Sequence, residues 1–193
     1  PRIEDLAGRD DGWDVVLDED QAWFMDNGHH RYRTSMVGAG VSATPNRLIR
    51  VSLSNSADHD AIEVSGLGGG SVTNPPVFDV GRQIVVAMDS ANKLLRAWRF
   101  DGDRRSLTPL WARQNFGAAS HMLLYPGSGE LVTNDYDKGC ESVAVLDIVT
   151  GATRARAKIG RPLQGVVFPS PGWGRDFYWC SMGFVARVAV IDA

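Results

Sequence analysis

Apolar residues along this chain fall into short runs rich in β-branched and aromatic side chains, and nearly every run is closed by Gly, Pro, Asp or Asn. Runs of that length bounded by turn formers predict β-strands. Hardly any stretch shows helical periodicity with caps at its ends, so the expected fold is all-β.

The runs recur as a unit. A first column reads Trp13 to Leu17, Asn74 to Phe78, His121 to Tyr125 and Gln164 to Phe168, with a polar or indole residue ahead of each apolar strand. A second column reads Gln21 to Asp26, Gln83 to Asp89, Glu130 to Asp135 and Asp176 to Ser181. A third reads Leu48 to Leu53, Leu95 to Asp101, Val143 to Asp147 and Ala186 to Asp192. Fourth strands follow in three units, around Ala61 to Val64, Leu110 to Arg113 and Thr153 to Ile159, and the last unit stops after its third strand. Four antiparallel strands repeating every ~45 to 60 residues match a β-propeller blade better than a sandwich, whose strands need not repeat as a unit. The chain therefore reads as one propeller domain or a fragment of one, with units at about 13–66, 72–117, 119–160 and 163–193. A ring of four blades, with Pro1 to Arg9 completing the last, is the alternative to a piece of a larger propeller.

In a blade the chain runs outward from the innermost strand, so the start of strand one and the end of strand two share a face near the axis. That face should collect Trp13, Asn74, His121 and Gln164 from strand starts, and Asp26, Asp89, Asp135 with Asn134, and Ser181 from strand ends. The connection from Asn27 to Pro45 leaves from the same face and carries His29 and His30, either a lid or an ordinary loop. Side chains from several blades converging on one axis make a small-molecule site. Against this, an Asp that ends a strand before a turn commonly binds nearby backbone N–H groups, which is the competing reading of Asp26 and Asp89. Trp23, Trp98, Trp111 and Trp179 lie inside strands and are expected to pack between blades. Gly66 to Gly70 precedes a strand and reads as a linker, not a phosphate cradle.

Composition narrows the function. The 193 residues are 44% hydrophobic, enough for a core, and 20 basic against 23 acidic residues give a net charge of −3 with no basic stripe for nucleic acid and no block for a membrane surface. No apolar run is long enough to span a bilayer, and the start lacks a signal-peptide pattern. Cys140 and Cys180 have neither metal-ligand nor redox spacing. The expected partner is a small molecule; neither compartment nor oligomeric state follows.

Thr73 to Asp103, with Asn opening an inner strand, Asp closing the next and an aromatic-Asp pair ending the third, resembles a blade of the regucalcin and gluconolactonase family of six-bladed propellers. Ala119 to Tyr136 and Val143 to Ile159, including the Asp147-x-x-Thr-Gly turn, are similar to its next blade. The resemblance implies an axial divalent cation and hydrolysis of sugar lactones or related esters. Asn74 falls on the family's metal-binding Asn. His121 stands where the family has a metal-binding Asp that also moves protons. Imidazole in place of a hard anion shifts preference from calcium toward zinc or manganese, or removes the metal. The family's first acidic ligand has no counterpart in this chain. On this reading Asn74 and His121 hold metal or substrate, Asp135 and His121 act as acid and base, and Gln164, His29 and Asp89 contact substrate. The rival is a non-catalytic propeller that binds a small ligand or a protein; the Asp147 turn also allows, more weakly, a quinone-cofactor propeller.

Overall fold

A computed structural model describes residues 16–18, 20–26, 44–68, 75–89, 92–114, 121–137, 140–159, 168–181 and 184–191. Blade one is β1 (Val16–Leu17), β2 (Gln21–Asp26), β3 (Arg47–Ser52) and β4 (His59–Glu63). Blade two is β5 (Val77–Asp79), β6 (Ile84–Asp89), β7 (Leu94–Asp101) and β8 (Ser106–Gln114). Blade three is β9 (Leu123–Tyr125), β10 (Glu130–Asp137), β11 (Cys140–Asp147) and β12 (Thr153–Lys158). Blade four is β13 (Phe168–Pro171), β14 (Asp176–Ser181) and β15 (Phe184–Ala189). Each sheet is an antiparallel meander in chain order, four-stranded three times and three-stranded in blade four, and the fold is a β-propeller.

Side-chain alternation explains how the blades stack. In β6, Ile84, Val86 and Met88 meet Leu131, Ala144 and Leu146 of blade three, whereas Val85 and Ala87 meet Trp23, Met25 and Leu48 of blade one. A second strand covered on both faces has no polar side, which is why QAWFMD and IVVAMD are buried at every position. Blades three and four join through Val132, Val143 and Val145 against Phe177 and Trp179. The strand tryptophans are therefore inter-blade packing. Trp23 stacks on Phe78 at 4.9 Å and meets Phe100 edge-on at 5.3 Å, while Trp111 donates from Nε1 to the carbonyl of Ile148 at 2.8 Å.

One first strand runs past the end of its sequence position. The pattern put it at Gln164 to Phe168, of which 164–167 lie outside the described residues, and β13 is Phe168–Pro171. Pro169 and Pro171 argue against a strand by composition, yet β13 bonds only β14 among the described residues, so a missing N–H on its other side breaks no ladder bond.

Candidate functional site

The ladders place the predicted residues more finely than the columns did. Asp79 pairs with Ile84 and Tyr125 with Glu130, across hairpin loops of equal length (80–83 and 126–129). Counted from these pairs, Asp135 takes the place of Asp89, whereas His121 takes the place of Pro75, one residue past Asn74. In blade four, Phe177 faces blade three as Leu131 faces blade two, and its partner Pro171 corresponds to Leu124, so His121 matches Phe168. The first-strand column built on apolar runs is thus out of step by one residue at His121 and by more at Gln164. These runs are apolar at successive positions, with no two-residue alternation to mark the register, so an offset of a single residue still reads as an apolar run.

Asn74, Gln164, His29, His30 and Trp13 lie outside the described residues. His121 is half-buried at the mouth of β9, and the register that pairs Leu123 with Val132 runs on from it toward Asn134. Asn134 is fully buried and lies two residues along β10 from Val132, on the face turned to blade four. Asp135 follows it in β10, paired with Ser142 of β11. Thr133 is buried, with no hydrogen-bond partner for Oγ1 among the described residues, the kind of group an ordered water commonly satisfies.

The two other aspartates at this end are engaged within the fold. Asp89 is fully buried; its carboxylate accepts from Ser65 Oγ of blade one at 2.6 Å, from Asn92 Nδ2 at 2.8 Å and from the Asn92 backbone N–H at 3.2 Å. Asp26 is buried and accepts from Arg47 Nη2 at 2.5 Å and Nε at 2.9 Å. The Asp89–Asn92 spacing of an Asx turn is visible in sequence; the Ser65 bond crosses blades and has no local signal. Arg50 also escapes the pattern. It sits in a strand otherwise read as apolar, 1% exposed, yet holds Asp58 and Asp60 at 2.6 Å each and Gln21 at 2.7 Å beneath the ring of Phe100.

The described donors do not suit a metal. No group of three or more His, Cys, Asp or Glu among the described residues is placed to hold one. Asp26 and Asp89 already serve as acceptors for Arg47 and for Ser65 with Asn92. A cation at this face would depend on Asn74 and other residues outside the described set.

At the opposite end, where strand one turns into strand two, polar groups tie blades together. Arg82 bonds Asp79 at 2.9 Å and reaches the carbonyl of Pro126 in blade three at 2.6 Å. Arg175 of blade four bonds Glu130 of blade three at 2.6 Å, and Tyr125 donates to the carbonyl of Asp176 at 2.7 Å. Burial alone would raise the Glu130 carboxyl, but hydrogen bonds from Arg175 and Ser128, with the charges of Arg175 and Arg154, hold it below the usual range. Asp147 is lowered likewise: its burial is outweighed by bonds from the Thr150 backbone and from Arg154.

No protein-family model matches the chain, and no curated protein sequence matches it. Solved structures do. The chain is similar to a luciferin-regenerating enzyme (14% identity, TM-score 0.58, 98% of this chain and 64% of that one) and to a β-propeller domain from Myceliophteria thermophila (9% identity, TM-score 0.59, 93% and 54%). TolB from Acinetobacter baumannii matches at 10% identity and a TM-score of 0.51, over 96% of this chain and 41% of that one. At these identities the likeness is one of fold, and it places the chain among β-propellers. The chain spans less than two thirds of each of these structures.

Proposed function

We propose that this chain belongs to a hydrolase of lactones or related esters, with its site at the end of the blades where first strands begin. The observation that carries this reading is the grouping in blade three of a half-buried His121 with a fully buried Asn134 and the adjacent Asp135. An imidazole there can take a proton from an attacking water, and a side-chain amide can donate to the oxyanion that forms. Asp135 is assigned as a second acid or base, and Gln164, His29 and Asp89 to contact the substrate. The resemblance adds a divalent cation on Asn74 and His121, either calcium or, with imidazole, zinc or manganese; no step above depends on it. The luciferin-regenerating enzyme, by its name an enzyme on the same fold, lends support by analogy only.

The test is turnover of a panel of sugar lactones and aryl esters by wild type and His121→Ala, with calcium, manganese, zinc or chelator added and folding followed by circular dichroism. The expected loss is about 100-fold or more with folding unchanged. Turnover equal in the two proteins, or none in either, overturns the assignment.

A second reading is a propeller that binds a small ligand without transforming it. It is favoured by the engagement of Asp26 and Asp89 in bonds of the fold. Calorimetric binding of a lactone with no turnover under any of the metal conditions would select it.

A further inference from the structure

First strands are the innermost of their sheets, and β9 packs beside both β5 of blade two and β13 of blade four. In register, Pro75, His121 and Phe168 hold one position at the mouths of these strands, and Pro76, Met122 and Pro169 hold the next. Of these residues only His121 carries a polar side chain, and the prolines also lack a backbone N–H. Alternation sets which way they face. Leu123 and Tyr125 join the layer of Phe177 and Trp179 of blade four, so His121, two residues before Leu123, is on the side of that blade, as Asn134 is. Across from them stands Pro169, paired directly with Trp179, which packs toward blade three and is fully buried. His121 is therefore opposed by a half-buried proline ring backed by an indole. On the other side of β9, Met122 and Leu124 turn toward blade two and pack on the layer of Ile84, Val86 and Met88. Asp89 brings little to a ligand's hydroxyls, because its carboxylate already accepts from Ser65 and Asn92.

We propose that this site takes lactones or esters with an aliphatic or aromatic body in preference to polyhydroxylated sugar lactones. The inference rests on the site proposed at His121 and Asn134, and it concerns what the site holds, not whether it hydrolyses. A sugar lactone brings several hydroxyls, and each one buried without a partner weakens binding by about tenfold. His121 and Asn134 are assigned to the reacting ester group, which leaves the strand mouths of blades two to four to face the rest of the molecule. Their proline and methionine side chains offer a hydroxyl no partner, whereas they gain by covering methylene or ring carbon. The preference is bounded, because an apolar wall rejects an added hydroxyl by only about 100-fold.

The probes are δ-nonalactone and glucono-δ-lactone, which share the lactone ring and differ in an alkyl chain against hydroxyls. Each is titrated into the intact protein and followed by the His121 ring signals in heteronuclear NMR, assigned with His121→Gln, while hydrolysis product is read in the same samples. Nonalactone is expected to bind about tenfold more tightly or better. Pro169→Thr, which adds a hydroxyl to the wall facing His121, should cut that preference by about threefold or more. Pro75→Ser, ahead of β5 and outside its ladder, serves the same end if Pro169→Thr unfolds at the temperature of measurement. Equal or tighter binding of gluconolactone overturns the proposal, as does binding of neither lactone or a preference that both variants leave untouched. The product separates this inference from the hydrolase reading. Nonalactone bound more tightly but never turned over upholds the preference and removes the hydrolase; gluconolactone bound more tightly and turned over does the reverse.

Discussion

Where strand one turns into strand two, Arg82, Arg175 and Tyr125 reach from one blade to carbonyl or carboxylate oxygens of the next. At the other end of the same strands, Asp26 and Asp89 close turns or ion pairs, while His121, Asn134 and Asp135 gather in a single blade. Both ends are rich in Asp, Arg and Asn, so residue type does not separate them. At the turn end the polar residues serve assembly, and at the other end the Ser65–Asp89 bond does the same between blades one and two. The other end holds the half-buried His121 and the buried Asn134, the residues on which the proposed site rests.

The sharpest way to break the turn end is at Gly151. Its φ is +71°, and an added Cβ would lie 2.6 Å from the Trp111 ring that docks on it. Gly151→Val should cost about 3 kcal/mol in urea unfolding, combining backbone strain with overpacking, and leave the opposite end's ligand binding intact in whatever fraction folds. Arg175→Met comes next. Among the described residues it leaves Glu130, 3% exposed, with Ser128 and the more distant Arg154, and a loss of about 1 to 2 kcal/mol is expected, moderated because Arg175 itself is 39% exposed.

At the other end, Asp89→Asn keeps the shape but exchanges an acceptor oxygen for a donor among Ser65 and Asn92. A smaller loss of about 1 kcal/mol is expected, with faster hydrogen exchange at the turn around Asn92. A thermal midpoint unchanged from wild type would show that the Ser65 bond contributes nothing to joining blades one and two.

The smallest expected effect is the pH profile of the turn end. Glu130 and Asp147 have folded-state values below their unfolded ones, so their stabilisation is complete above about pH 4.5 and is lost as pH falls through the folded values. The urea midpoint should fall on acidification, and Glu130→Gln should flatten that limb. Tyr125 behaves oppositely. Burial raises its phenol, with the charges of Asp176 and Glu130 acting the same way against the opposing bond to Gly172. Its contribution is complete below about pH 10 and is lost above it, so Tyr125→Phe should flatten the alkaline limb.

Much of this molecule is local and therefore legible in the chain. The alternation of β7, the doubly apolar β2 and β6, and the Asp turns at Asp79, Asp101 and Asp147 each rest on residues within a few positions of one another. The candidate site was legible in part: its end of the blades and the residues His121, Asp135 and Asp89 could be named, but not their register or engagement. By itself the sequence determined that the chain makes repeated four-strand meanders, because period-two burial and turn chemistry act over short distances. Tertiary structure alone decided that His121 aligns with Pro75, that Asp89 is held by Ser65 from another blade, that Arg50 is buried under Phe100, and that Gly151 must lack a side chain to admit Trp111. Each of these depends on two segments meeting at one spacing across a blade boundary, and a local pattern carries no record of which distant segment will arrive there.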